Sequence, residues 1–512
     1  MSAPVIPITG LGTDFKIPGS YVEIAFAQGP ASASNPGRDV VFVMPKLSTG
    51  TWTAATLYPI TSEKTAEDGA GSGSPLHRAV RKFLQVNKDA KLYGLPVAET
   101  TGGSPIAATA TVTFATTPTG VGVATVWICG EACQYGYTST DTVTTVAAGI
   151  KAAINAKPWL PVTADNAAGV LTVTAKLKGI SQGTASVPVI SVRSEVSTGT
   201  AMTVTGTGAV GTGVIGVEGT TTEAAATATA LTAIAGTRKY YIVTSANDAT
   251  TIGHFKTHIS TKSEPRRGLR SVAIAAYPGT GAAAATIATG RNYERVQINW
   301  LENPDNDCAE IAGAIAAIRH KAEAKDPTAN LSMTSLSDIL SNSYLVSDWP
   351  TDVELNDAIN DGVAPIKSSD SGPVWVMNVN TRSKNAAGTQ DDFRATECHR
   401  VSGADFYADT VIADWNLNFA GKKLEADEVL ADGKPNPNQA LRSNVIRPST
   451  YKPHLAQLYD DFYAQGHAQN PTATKASMRV VKNGSRLECG QDLHIIDHAL
   501  IQTLLVAEVS TG

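Results

Sequence analysis

The chain is short of charge. Asp, Glu, Lys and Arg make up 17% of its 512 residues, against roughly 25% in an ordinary globular chain, and Thr, Ala and Gly fill the gap. A weakly charged, small-residue surface suits a protein packed among copies of itself, and equally a secreted β-rich protein. There is no basic block and the formal net charge is −5, which argues against nucleic-acid binding. Five scattered cysteines, an odd number, make no disulfide framework, so folding in a reducing cytoplasm is expected. The apolar stretches, broken by glycine, contain no run long enough to span a bilayer, and no membrane insertion is expected. Met1 to Pro7 has neither a basic region nor an apolar core, so no signal peptide is read there.

What is present is a strand pattern at each end. Ser20-Tyr21-Val22-Glu23-Ile24-Ala25-Phe26 alternates polar or small residues with apolar ones, and a Pro/Gly/Ser-rich tether, Gln28 to Gly37, follows. Leu504-Leu505-Val506-Ala507-Glu508-Val509 runs almost to the last residue. A strand must pair its backbone N–H and C=O groups or leave them to water. Tethered terminal strands are therefore suited to completing a sheet in another molecule.

Between the ends the texture divides the chain. Residues 38–99 read as β–α–β: the apolar run Val40 to Met44, a helix capped by Ser74 with Pro75 in its first turn, and a strand from Lys91 to Val97. Residues 100–219 alternate Thr, Val, Ala and Gly in short strands around one helix, Val143 to Ala156, and read as an inserted β-rich domain whose Gly-rich exit, Gly206 to Gly219, is a hinge. Residues 220–400 resume the β–α rhythm, with strands at Tyr240 to Val243, Val272 to Ala275, Val296 to Trp300 and Val374 to Val379. A helix is predicted from Cys308 to Ala324, with Arg319, Lys321 and Lys325 at the end favoured by the dipole. Residues 401–512 carry a helix around Pro453 to Tyr463, a hairpin centred on Asn483-Gly484, and a second strand-like stretch, His494 to Val509. The expected fold is a mixed, largely parallel α/β core with an inserted small β-rich domain and extended N- and C-terminal strand arms.

The chemical motifs point away from catalysis. Gly211-Thr212-Gly213-Val214-Ile215-Gly216 matches a dinucleotide fingerprint in letters, but a Gly/Thr/Val linker surrounds it and no helix opens after it. There is no P-loop. Cys129-Gly130-Glu131-Ala132-Cys133 reads as a hairpin tip, because no second Cys/His pair lies nearby to complete a zinc site. In a strand His494 and His498 would share a face and Asp497 would point away, which breaks that cluster. His77, His254, His258 and His320 read as solvated or capping residues. No catalytic residue, metal or cofactor is expected.

Several blocks, in order, resemble the contractile tail sheath proteins of myophages, nearest to their Mu-like branch. They are Pro18-Gly19-Ser20-Tyr21-Val22-Glu23; Ile60-Thr61-Ser62 with Gly73, Ser74-Pro75-Leu76, Phe83 and Asn87; the Thr381-Arg382 corner, in reversed order; and the terminal hairpin followed by a long strand. The resemblance implies a non-enzymatic subunit that stacks as hexameric discs around a tail tube and exchanges terminal strands with its neighbours. It then contracts to drive the tube through a bacterial envelope. The implied partners are other copies, the tail tube protein, and baseplate and tail terminator proteins. The implied location is the virion tail, assembled in the host bacterial cytoplasm. On this reading residues 20–26 and 504–509 are donated strands, and Met478, Arg479, Val480, Val481, Ile495 and Ile496 form the acceptor sheet. Arg442, Arg447, Lys452 and His454 would face the tube. Two alternatives remain at this stage: an α/β hydrolase with a carbohydrate-binding-like insert, and a baseplate or adhesin protein.

Overall fold

The computed structural model describes residues 38–184, 187–206, 208–384, 395–431, 433 and 436–500. The two arm segments, Ser20 to Phe26 and Leu504 to Val509, lie outside the described residues. The core is a nine-stranded sheet. Its centre is five parallel strands: β1 (Val40–Pro45), β2 (Leu92–Val97), β3 (Tyr241–Val243), β4 (Val272–Tyr277) and β5 (Val296–Trp300), in the spatial order β5-β4-β3-β1-β2. Ala364–Lys367 adds a sixth parallel strand beside β5, and short antiparallel strands close both edges. The mixed, largely parallel core is as expected. The strand predicted over Val374 to Val379 shrinks to Val374–Trp375, because it pairs antiparallel at the sheet margin for two residues only.

β1 shows why its sequence is uniformly apolar rather than alternating. Val40, Phe42 and Met44 pack into one cluster with helix α1 (Pro75–Val86) and helix α2 (Cys308–Glu323). Val41 and Val43 pack into a second cluster on the opposite face. A strand covered on both faces has no polar side to alternate with. α1 begins as the sequence dictates, with the Ser74 hydroxyl accepting from the His77 amide and Pro75 at the first position.

α1 and α2 cross closely because of Gly313. A Cβ there would meet the Ala79 carbonyl oxygen at 2.4 Å and its Cα at 3.0 Å. Exchanging glycine for alanine inside a helix ordinarily gains about 1 kcal/mol, but overpacking against fixed backbone costs about 1–3 kcal/mol. Gly313→Ala is therefore expected to destabilise the protein, read as a lower urea midpoint with an unchanged slope.

The β-rich stretch holds two four-stranded antiparallel sheets and the helix Val143–Asn155. Its apolar residues, among them Val112, Phe114, Val126, Ile150 and Leu171, join the same buried cluster as α1 and α2. The hinge reading of its exit is corrected. Thr101 pairs with Thr221 and Ile106 with Val217, and the amides of Gly211 and Gly213 both donate to the Thr109 carbonyl. A Cβ on Gly216 would lie 1.9 Å from the Gly179 carbonyl oxygen. The glycines serve close approach of two chains, and entry and exit form one zippered neck.

Candidate functional site

Four arginines stand just ahead of four adjacent parallel strands: Arg38 before β1, Arg238 before β3, Arg270 before β4 and Arg295 before β5. All converge beneath the sheet on carboxylates from two helices, α2 and α3 (Cys398–Asn418). Arg295 grips Asp405 through both terminal nitrogens, at 2.6 and 2.8 Å, and the Tyr240 hydroxyl donates to the same carboxylate at 3.0 Å. Arg238 grips Asp409 in the same fork, and Arg270 reaches it at 2.6 Å. Glu323 of α2 accepts from Arg38, Arg319, Tyr241 and Ser402. Arg319, expected at the dipole-favoured end of the helix, is 1% exposed and belongs to this buried lattice. Burial alone would raise the Asp405 carboxyl, but the arginines, Arg295 foremost, hold it down at about 2.

The opposite end of the sheet is where open α/β folds hold ligands. Here the protein's own β-rich stretch occupies it. Arg193 forks onto Asp305 at 3.0 and 2.7 Å, and the Ser191 hydroxyl donates to the Asp305 carbonyl. Asn247 donates to the Ser181 carbonyl, and Arg78 bridges Asp307, at 2.6 Å, to the Trp159 carbonyl. These contacts tie the stretch to the loops following β3 and β5. No dinucleotide geometry surrounds Gly211 to Gly216, since the next helix opens only at Glu223.

The C-terminal unit packs α3 against helix α4 (Pro448–Ala464) through Phe406, Tyr407, Tyr451, Tyr459 and Phe462. α4 starts five residues before the predicted Pro453, because Pro448 supplies a first-turn proline. The expected hairpin is present as β6 (Arg479–Asn483) and β7 (Arg486–Gly490), paired from Arg479↔Gly490 to Asn483↔Arg486. Val480, Leu487 and Cys489 lean on the aromatic cluster, which a two-stranded sheet needs for stability in water.

Two parts of the predicted acceptor sheet change. Met478 caps the preceding short helix, and Ile495 makes one isolated bridge to Ala468 while Ile496 lies outside any strand. The long strand predicted from His494 therefore does not form over residues 494–500. Of the tube-facing set, Arg447 is buried and bonded to Glu425 and to the carbonyls of Gln439 and Ala440. Arg442 pairs with Glu425, His454 bonds Asp414 at 2.8 Å, and Lys452 is exposed.

The histidines are structural rather than solvated where they are buried. The Gly73 amide donates to Nδ1 of His77, and His320 bonds the Asn87 side chain and the Arg38 carbonyl. Thr328, His467 and Asp326 lie together, but the hydroxyl and the carboxylate both meet Nδ1 of His467, at 3.1 and 3.0 Å. A relay of the Ser-His-Asp kind needs them on opposite ring nitrogens. His494 and His498 do not share a face: His494 bonds Thr474, and His498 stacks on His399 with ring centroids 3.7 Å apart. Glu397 lies beside them. Sequence reasoning missed His399 and Glu397 because about a hundred residues separate them from His498. Among the described residues no helix is long and apolar enough to cross a membrane.

The fold defines a mixed α/β protein whose usual ligand crevice is walled by its own β-rich stretch, with a cavity of about 240 Å³ left between that stretch and the loops after β4 and β5, and whose C-terminal unit carries a short hairpin. Part of the chain is similar to a tail sheath protein: it is 27% identical over 174 residues to the Mu-like prophage FluMu tail sheath protein of Haemophilus influenzae. That match covers 34% of this chain and 35% of the relative. The resemblance read from the sequence is borne out by it. No family model matches. Among solved structures, the sheath tail protein of Desulfitobacterium hafniense aligns with 90% of this chain and 93% of its own, at 12% identity and a TM-score of 0.44. That of Listeria innocua aligns with 91% and 94%, at 12% identity and 0.46. A chain of the anti-feeding prophage baseplate aligns with 97% and 100%, at 11% identity and 0.46.

Proposed function

We propose that this protein is the structural subunit of a phage contractile tail sheath. On this reading it polymerises around the tail tube by exchanging terminal strands and contracts to drive the tube through the host envelope. The observation that carries the reading is the aligned tail sheath relative. The tethered strand patterns at residues 20–26 and 504–509 agree with it. So does the β6–β7 hairpin, a sheet of two strands in the described residues, to which an incoming strand would add a third.

The working division of the chain stays as read from the sequence: 1–37 as an arm, 38–99 and 220–400 as the core, 100–219 as a peripheral domain, and 401–512 as an inner unit with the second arm. Arg442, Lys452 and His454 remain the proposed tube-facing residues, and Arg447 is withdrawn. Partners are further copies, a tail tube protein, and baseplate and terminator proteins, in a virion tail assembled in the bacterial cytoplasm. A lattice of head-to-tail contacts that does not close into a ring propagates as a helix. Electron microscopy of the purified protein tests this directly. Striated hollow tubes are expected, whereas closed rings or monomers at all concentrations would count against a sheath.

A further inference from the structure

The geometry points to a transition-metal site of the zinc class formed by Glu397, His399 and His498, clamping residues 494–500 onto the start of α3. One ligating atom from each residue falls within 4.8 Å of the other two. Nδ1 of His399 lies 3.3 Å from Oε2 of Glu397, which is about the separation of two ligands on one tetrahedral zinc with bonds of roughly 2.0–2.2 Å.

The tautomers make the case. Nε2 of His399 faces the Ile496 carbonyl at 3.1 Å, and Nε2 of His498 faces the Thr328 carbonyl at 2.8 Å. A carbonyl only accepts, so each Nε2 carries the proton and each neutral ring keeps its Nδ1 lone pair. In its neutral form His399 thus sets a lone pair against a carboxylate, two acceptors with no proton between them, at a residue 4% exposed. A divalent cation satisfies both. An imidazole N–H given to a backbone carbonyl is also the support that metal-ligating histidines ordinarily have. Arg400 Nε donates to that same Oε2 of Glu397 at 3.3 Å and its guanidinium also pairs with Asp497, so a bound cation would share the carboxylate with a guanidinium that has a second anion to hold it. The three residues line a cavity of about 10 Å³, large enough for one ion or water, with Asn378, Ser332 and Leu500. Two imidazoles and one carboxylate suit zinc, cobalt or nickel and disfavour magnesium and calcium.

Three ligands from two chain segments about a hundred residues apart would lock the 494–500 segment in place. Metal binding itself is independent of the sheath reading, so the test uses unassembled full-length protein. After chelator treatment and dialysis against micromolar Zn²⁺, one metal per chain is expected, with a visible ligand-field band when Co²⁺ replaces Zn²⁺. Amide exchange across 494–500 should slow on loading. His498→Ala and Glu397→Gln should each weaken Zn²⁺ binding at least about 100-fold, beyond the 10–100-fold of outer-shell losses. His494→Ala, outside the cluster, should leave it unchanged. Folding of each variant is checked by circular dichroism, and His498 is half-buried, so its loss opens no deep cavity. Absence of stoichiometric Zn²⁺, full retention in His498→Ala, or unchanged exchange at 494–500 would each overturn the proposal.

Discussion

Protein lacking residues 1–28 is expected to remain a folded monomer and to lose tube formation. The described core begins with Arg38, whose guanidinium reaches Glu323 and the Ser402 carbonyl, so the truncation removes none of the described sheet. What it removes is the strand pattern Ser20 to Phe26 and the 17 residues before Pro18, which could span about 55 Å when extended. A donated strand of this length adds about four backbone hydrogen bonds at about 0.5–1.5 kcal/mol each. Losing about 4 kcal/mol weakens each contact about a thousandfold. In a lattice where every subunit donates, that is enough to abolish growth at micromolar protein. Sedimentation and electron microscopy read the result. Tubes of normal disc spacing from the truncated protein would sink the strand-exchange idea and leave the sheath reading to stand on other contacts.

The second large effect concerns the charge lattice beneath the sheet. Asp405→Ala leaves Arg295, Arg270 and the Tyr240 hydroxyl buried around a missing carboxylate. Removing one partner of a buried ion pair costs about 3–5 kcal/mol, a large part of the 5–15 kcal/mol that typical domains have. Loss of soluble protein, or a sharply lower denaturant midpoint, is expected. Asp409→Ala should cost less, because the Arg238 side chain is 25% exposed and water can replace its lost acceptor, while the buried Arg270 keeps Asp405 as a counter-charge at 3.4 Å. Equal losses for the two variants would show that the lattice does not act as described. The same carboxylate sets an acid limit. Its pKa in the folded protein, about 2, lies below the roughly 3.9 of an unfolded Asp. Its contribution is therefore complete above about pH 4 and disappears as pH falls from there towards 2. A pH series of denaturation midpoints for Asp405→Asn against the parent should converge in that window and separate above it.

A shared logic runs through the core and the ends. Contraction as proposed needs subunits that move as rigid bodies while their connections persist. The arginines ahead of β1, β3, β4 and β5 bind four strands and two helices into one unit, and the zippered neck fastens the β-rich stretch to that unit. On the proposed reading, the strand patterns at residues 20–26 and 504–509 are where such a lattice would bend.

Local chemistry made much of this legible in the sequence. Ser74-Pro75 fixed the start of α1 because capping and a first-turn proline act within a few residues. The unbroken apolar run of β1 announced a strand covered on both faces. Cys129-Gly130 marked a hairpin tip, and the structure has it between Gly122–Ile128 and Glu131–Tyr137 with both residues at positive φ. Asn483-Gly484 marked another. These signals have a range of a turn of helix or a pair of strands.

Tertiary structure alone decided the rest. Arg38 and Glu323 stand 285 positions apart, and Arg295 and Asp405 110 apart, so no periodicity links them. Gly206 to Gly219 looked like a hinge because glycine permits both freedom and close approach, and only the neighbouring chain shows which is used. His498 was expected to share a strand face with His494, and the same limit applies. Four residues separate it from His494, while its true neighbour, His399, arrives from the start of a distant helix. Contacts that close over a hundred residues depend on where the whole sheet places its ends, and a local pattern carries no record of that.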